Sequence, residues 1–564
     1  MSILDLFSSN DIILRMNRLI PGLLLPILLI FSFLAFRGLK EQGLLYHDAG
    51  AYLLETKFLD EGAQALRTLS SGEYKNSGFW EAMKAKTSGA PPYTSKPGFN
   101  LILWAASEIW GLSDSLSAKV TAAAAAVNLL LTFLLARRLT TTLSGIYATA
   151  FLVSSVFYLT YARSGLAEQV ATVFFLTGVL LLLRSWRKGS NFTLYLVGVC
   201  LGYTFACNPW RVLYLLALFL GFDLLAFWWE KKWSWKMAVQ RMALMIVGYL
   251  TPIVAFQLPY VLLKLRVSNL PFKDYWTYLS EKLGWLGGVV WFKRPGHLAV
   301  EYWLVEGPFF AAVILTAWGF LLFRFMTRRR FQDLFLLAFS LLPFIYFSLA
   351  TPTGETLPRV VSNVIPIASL AVGELVLGIH HLLQEKLKFF QKRDGWLGFL
   401  LVTVLLVQAI PRQLNLLQTR SGYREASHYL ESTGKKEFMI LGMEPVWRFY
   451  LGRVAYEPYH RPQSLKALVE KAQARQIEHL LVDFSTLHSK YGCRYTASLL
   501  GKQTPLAVFP NPLGGSLPYL LDQLALEGSQ EVVRDPLSRK IYIFRIKDIA
   551  GATSSVEGPG RERA

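Results

Sequence analysis

The chain has 564 residues, 53% hydrophobic and 14% aromatic, with 58 Lys and Arg against 38 Asp and Glu for a net charge of +20. Several apolar runs are long enough to cross a bilayer, so the composition excludes a soluble enzyme and predicts a polytopic α-helical membrane protein. The basic excess gathers in short loops between those runs, which assigns it to topology and membrane lipids rather than to nucleic acid.

Arg15 and Arg18 precede an apolar run at 20–36 with no small-residue cleavage site behind it, the pattern of a retained first helix whose N-terminus lies inside. A long outer loop at 37–118 follows. Runs at 120–136, 145–161, 170–183, 192–206, 212–229 and 242–263 come next, with Arg137 and Arg138, then Arg184, Arg187 and Lys188, then Lys231, Lys232, Lys236 and Arg241 marking alternate inner loops. A second outer loop at 264–307 leads to runs at 308–322, 334–349, 360–377 and 396–410. Their inner loops hold Arg324, Arg328, Arg329 and Arg330, then Lys386, Lys388, Lys392 and Arg393. The alternation predicts about eleven crossings, with everything after Pro411 outside.

The run at 99–110 is too short for a full crossing and predicts a juxtamembrane or re-entrant helix. Asp223 and Glu374 fall towards the inner ends of their helices, where solvated or helix-pairing roles are expected. Cys200, Cys207 and Cys493 offer no disulfide framework, since the first two stand two turns apart on one predicted helix and the third lies far away.

Beyond 411 the pattern changes. Helix-like segments at 423–430, 465–474 and 517–526 alternate with strand-like segments at 438–441, 480–484 and 540–545. The predicted organisation is therefore a membrane domain at 1–411, a small C-terminal extracytoplasmic α/β domain at 412–548, and a disordered tail at 549–564.

The candidate site residues share the outer face. Asp48 stands just beyond the first helix, and Glu168 returns to the same side two crossings later. An acid at the membrane edge is costly to place, and two from different helices point to chemistry. Taken singly, Glu168 is also an ordinary helix-start residue that favours the positive end of the dipole. The first loop carries Tyr52 and then Tyr93-Thr94-Ser95-Lys96-Pro97-Gly98 ahead of the short apolar run. A lysine beside a proline at the membrane surface suits the phosphate of a lipid carrier, and tyrosine hydroxyls suit a sugar or the phosphate. Alone, Lys96 equally suits an anchor to lipid headgroups. Arg294, in Phe292-Lys293-Arg294-Pro295, and Arg359, in Leu357-Pro358-Arg359, complete the candidate phosphate contacts, although the stretch around Arg294 equally suits an aromatic and basic interfacial belt.

The order of these elements resembles the superfamily of protein O-mannosyltransferases and aminoarabinose transferases. The matching elements are Asp48 with Tyr52 after the first helix, Tyr93-x-x-Lys96-Pro97 before a half-helix, and Ala136-Arg137-Arg138-Leu139 closing the next helix. Arg163 five residues before Glu168, Leu357-Pro358-Arg359 ahead of Pro366, and Tyr423-Arg424-Glu425-Ala426 opening the outer domain continue the pattern. The resemblance implies a membrane glycosyltransferase of type C that uses a polyprenyl-phosphate sugar. It also implies Asp48 as the essential first-loop aspartate, Glu168 as the second acid, and Lys96 and Tyr93 as donor-phosphate contacts. Two departures bear on cofactors. Ala49 stands where many members have an acid, and Ser95 where some have Glu, so no cofactor is certain and a divalent metal stays open but unsupported.

The implied function is inverting transfer of a sugar from a polyprenyl-phosphate donor to a hydroxyl of a glycolipid, glycan or protein, with Asp48 as base, in a bacterial inner membrane with a periplasmic active face. Protein O-mannosylation is a narrower variant. A flippase of lipid-linked sugar is the alternative from another class, but it predicts inverted repeats and midplane charges that the sequence lacks.

Overall fold

The computed structural model describes residues 20–68, 96–188, 190–209, 213–230, 234–264, 275–277, 279–280, 290–291, 306–351, 361–386, 394–434, 438–441, 444–452, 454–456, 465–483, 499, 503–510 and 540–549. The chain divides into two compact units. The first comprises Met1–Arg37, Tyr93–Ile102 and Ala118–Leu417, and the second Gly38–Pro92, Leu103–Ser117 and Gln418–Ala564.

The first unit is helical. Among the described residues seven helices are long and apolar enough to cross a membrane: Gly22–Gln42, Leu116–Leu139, Glu168–Arg187, Trp235–Leu258, Pro308–Arg328, Phe331–Leu349 and Ile365–Lys386. Two bent pairs raise the number to nine if each is one span. Thr142–Ser154 with Val156–Arg163 bends by 67°, and Leu397–Val407 with Ile410–Leu417 by 44°. The shorter apolar helices Asn191–Cys207 and Tyr214–Trp229 occupy two further apolar runs. Leu29, Val254 and Phe323 are each at least 60% exposed on these helices, an arrangement that suits lipid and not water. The protein is thus a multi-pass helical membrane protein.

Inside the unit, small residues and buried polar side chains join the helices. Asn191–Cys207 meets Trp235–Lys264 at Gly198, Gly202 and Gly248, where an added Cβ would strike the backbone oxygens of Met245, Tyr249 and Tyr195. Close backbone approach of this kind replaces the hydrophobic drive that lipid removes. Tyr158 Oη donates to the Ala125 carbonyl at 2.7 Å, and Thr121 Oγ1 to that of Ala162 at 2.9 Å. Two short strands, β1 (Val290–Trp291) and β2 (Ala350–Thr351), pair antiparallel.

The bend at Ser155 has a defined cause. Ser155 Oγ accepts from the Tyr158 N–H at 2.9 Å and so caps a new helix inside an apolar run. Glu306 completes the cap: Ser155 Oγ donates to its carboxylate, as do the N–H groups of Val156 at 3.0 Å and Phe157 at 3.2 Å. A carboxylate at a helix N-terminus meets both the unpaired N–H groups and the dipole.

In the second unit the C-terminal region forms a five-stranded mixed sheet of β3 (Met439–Leu441), β4 (Ala455–Tyr456), β5 (His479–Val482), β6 (Ala507–Pro510) and β7 (Lys540–Arg545), in the order β4-β3-β5-β7-β6. β3 runs parallel to β4 and β5, while β7 is antiparallel to β5 and β6. Met439, Leu480, Val482, Tyr542 and Phe544 pack with Leu468 and Val469 of the helix Leu465–Ala474 into one core. The predicted segments at 423–430, 438–441, 465–474, 480–484 and 540–545 lie on the helices Tyr423–Ser432 and Leu465–Ala474 and on β3, β5 and β7. The helix Glu444–Leu451 and strands β4 and β6 were not foreseen. The segment at 517–526 and the tail beyond 549 lie outside the described residues.

Candidate functional site

In the first unit, Lys96 is fixed by the helix that follows it. Its carbonyl accepts from the Phe99 and Asn100 N–H groups, both at 3.0 Å, so it caps the helix Pro97–Trp110 with a proline in the first turn. Tyr203 Oη donates to the Gly98 carbonyl at 3.0 Å, which holds this turn against the end of the helix Asn191–Cys207. Lys96 is 9% exposed.

Glu168 opens the helix Glu168–Lys188 and is fully buried. This helix and Asn191–Cys207 form an antiparallel hairpin, with Phe174 against Tyr203 at 4.1 Å between ring centroids and Gly178 beside Cys200. That register sets Glu168 level with Cys207, Asn208 and Pro209. The Lys96 turn packs on the same end, so Lys96 and Glu168 share one end of the hairpin.

Six more polar side chains lie in this part of the unit, and none was singled out in the sequence. Thr172 Oγ1, one turn after Glu168, donates to Asn363 Oδ1 at 2.9 Å. Asn128 Nδ2 donates to Gln169 Oε1 at 3.0 Å. Those bonds orient the two amides and leave Asn363 Nδ2 and Gln169 Nε2 buried with no partner among the described residues. Ser362 Oγ and Asn208 Nδ2 are in the same condition. Buried amide and hydroxyl groups are nearly always hydrogen-bonded, so a group of unmet donors marks a place for an acceptor. The sequence signal was weak: Asn208 and Asn363 are single polar residues at the ends of apolar runs.

Arg163, in the element shared with Glu168, has a structural task. It is fully buried, and its Nη1 donates to the carbonyls of Leu34 at 2.9 Å, Ala35 at 3.2 Å and Arg37 at 2.7 Å. A guanidinium on the last carbonyls of the first helix satisfies that terminus and complements its dipole.

In the second unit, Asp48 lies in the first turn of the helix His47–Thr68 with its side chain one-third exposed. His47 Nδ1 stands 3.5 Å from its Oδ1. Tyr52, one turn on, is buried, and its carbonyl accepts from Thr56 Oγ1 at 2.8 Å. Asp114 accepts from Arg424 Nε at 2.9 Å and Nη2 at 2.6 Å, and from Tyr450 Oη at 2.6 Å. Burial and the Asp114 carboxylate both push the Tyr450 phenol well above its ordinary range, so it remains a neutral donor. Asp48 and Tyr52 therefore belong to one unit, and Lys96 and Glu168 to the other. Tyr93, Arg294 and Arg359 lie outside the described residues. Among the described residues no group of three or more His, Cys, Asp and Glu side chains is arranged to hold a metal ion.

No family model matches the chain, and no curated protein matches it by sequence. Its fold is that of the type C membrane glycosyltransferases. ArnT from Cupriavidus metallidurans bound to undecaprenyl phosphate is 12% identical with a TM-score of 0.54, over 98% of this chain and 100% of that one. The same protein in the apo state is 13% identical with a TM-score of 0.52, covering 96% and 99%. The archaeal oligosaccharyltransferase AglB from Archaeoglobus fulgidus, in complex with an inhibitory peptide and a dolichol-phosphate, is 12% identical with a TM-score of 0.52, covering 86% and 71%. At such identities the likeness is one of fold.

Proposed function

We propose that this protein is a glycosyltransferase that moves a sugar from a polyprenyl-phosphate donor to an acceptor hydroxyl, with inversion, at the outer face of a bacterial inner membrane. The observation that carries the reading is the end of the helical hairpin where Lys96 and Glu168 share a buried setting with the unmet donors of Asn208, Ser362, Asn363 and Gln169. One ammonium and several neutral donors without an acceptor suit a phosphate. The fold likeness to proteins whose structures hold undecaprenyl phosphate or dolichol-phosphate supports the same ligand class.

The sugar already carries a good leaving group, so the chain has to supply a base, cations for the departing phosphate, and alignment. Asp48 takes the proton of the acceptor hydroxyl. The acceptor oxygen bonds to the anomeric carbon on the face opposite the phosphate, the bond from that carbon to the phosphate oxygen breaks, and the lipid phosphate leaves with the electron pair. Lys96 stabilises the charge that grows on the phosphate, assisted by Arg294 or Arg359. Glu168 is the second acid of the site, and Tyr52 and Tyr93 contact the donor. The acceptor is a glycolipid, glycan or protein hydroxyl, the N-terminus is cytoplasmic, and the region after 411 is periplasmic.

The test is release of undecaprenyl phosphate when the purified protein is incubated with a panel of undecaprenyl-phosphate pentoses and hexoses together with glycolipid, glycan and protein acceptors. Asp48→Asn is expected to bind undecaprenyl phosphate as the parent does and to release none. Normal turnover by that variant would remove Asp48 as the base. Mass spectrometry of lipids that co-purify with Asp48→Asn is expected to show an intact donor and so to name the sugar.

A further inference from the structure

Asp48 is bracketed by anchors that come from the far end of the sequence. Four residues ahead of it, the Leu44 N–H donates to Tyr450 Oη at 3.3 Å across a separation of 406 positions. Two residues behind it, Gly50 lies flat on the helix Glu444–Leu451, where an added Cβ would meet Val446 N at 2.8 Å and Pro445 C at 2.9 Å. Further ahead, the Gln42 carbonyl accepts from the Ser421 N–H at 2.9 Å. The start of the helix that carries Asp48 is thus seated on the region after 417 by backbone contacts on both sides.

Tyr450 is held in turn. Its hydroxyl donates to Asp114 Oδ2, and Asp114 is gripped in a bidentate pair by Arg424, with Nε to Oδ2 at 2.9 Å and Nη2 to Oδ1 at 2.6 Å. Two parallel charge-assisted bonds fix direction as well as distance. The result is a continuous relay from Arg424 through Asp114 and Tyr450 to the Leu44 N–H. None of these residues is part of the apolar core around the sheet.

A general base must be held to within a fraction of an ångström of its proton, and the element that carries it must not drift. We propose that Arg424, Asp114 and Tyr450 are positioning residues for Asp48, which makes the C-terminal α/β region part of the catalytic machinery rather than an appended module. This rests on the reading of Asp48 as the base.

The experiment uses the full-length protein in nanodiscs and the variant Tyr450→Phe, which keeps the ring and removes the hydroxyl. Three quantities are measured: amide hydrogen exchange, binding of undecaprenyl phosphate, and kcat and KM with the glycosylated undecaprenyl phosphates described above. Exchange at Leu44 and over 47–52 is expected to rise by roughly two- to tenfold, as loss of one net hydrogen bond implies, with strands β5 and β7 unchanged. kcat is expected to fall roughly ten- to a hundredfold from displacement of the base, with undecaprenyl phosphate affinity and KM as in the parent. Arg424→Lys, which keeps the charge but not the fork, is expected to lie between the parent and Arg424→Ala; it also serves if Tyr450→Phe fails to fold. An unchanged exchange rate at Leu44, or an unchanged kcat, in a protein whose Asp48→Asn form is inactive overturns the positioning role alone. Normal turnover by Asp48→Asn instead overturns the underlying reading of the base, whatever Tyr450→Phe does.

Discussion

Buried polar groups gather near both ends of the helix Glu168–Lys188, around Glu168 at one and around Ser185 at the other, and they are arranged on opposite principles. At the end near Lys188 the buried charges are paired with one another. Arg241 donates to Asp223 through Nε at 2.8 Å and Nη2 at 2.7 Å and to Ser185 Oγ at 3.1 Å, while Trp186 Nε1 donates to Asp223 at 2.9 Å. Arg324 on a neighbouring helix grips both oxygens of Asp333 and reaches Glu374 at 2.7 Å. At the Glu168 end, by contrast, amide and hydroxyl donors are buried without acceptors. Saturated charge holds helices together; a surplus of donors waits for a ligand.

The largest effect that sharpens this contrast is expected at the closed end. Arg241→Ala leaves Asp223 buried and unpaired and is expected to cost about 3–5 kcal/mol of stability, read as a large fall in melting temperature of the detergent-solubilised protein. A stable Arg241→Ala would break the comparison. Next comes Lys96→Met, expected to weaken undecaprenyl phosphate binding roughly ten- to a hundredfold, the worth of one charge-assisted hydrogen bond. Its melting temperature should stay near that of the parent, and a titration with undecaprenyl phosphate settles the matter. Smaller again, Asn208→Ala is expected to lower the same affinity about fivefold, near 1 kcal/mol, with no loss of stability because no internal bond of its side chain is broken. A clear loss of stability in that variant would show the amide to be structural.

The smallest effect is one of slope. Glu306, in the stretch just ahead of the span Pro308–Arg328, is pushed up to about 7 by burial, against the opposing pull of Ser155 and the Val156 and Phe157 N–H groups. A carboxyl raised in the folded state favours folding most when protonated. Its contribution is full below its unfolded value and fades as pH rises through about 7. Glu306→Gln is expected to flatten the dependence of melting temperature on pH between about 5 and 8, and an unchanged slope would show that Glu306 does not titrate there.

Much of the helical framework was legible because hydropathy is local. Most of the apolar runs fall on helices, and the basic clusters do follow the runs. Even so, Arg241 and Arg324, read as members of inner loops, lie on helices and are drawn into buried pairs, and Asp223 and Glu374 take the helix-pairing role of the two expected for them. The run at 145–161, read as one crossing, breaks at Ser155 because its cap is completed by Glu306, about 150 residues away, a partner that periodicity cannot see. Asp48 and Glu168 were singled out because carboxylates beside apolar runs are conspicuous, whereas Asn208 and Asn363 became visible only once their amides were buried without acceptors.

By itself the sequence determined which segments prefer lipid to water, since about twenty consecutive apolar side chains decide that without help from the rest of the chain. It also determined part of the alternation of helix and strand after 411, since each period reflects one buried face. Only the tertiary structure decided what holds the first-loop aspartate in place. The seat of Asp48 is made from Leu44, Asp114, Arg424 and Tyr450, and bonds between residues so far apart in sequence exist only after the chain has closed on itself.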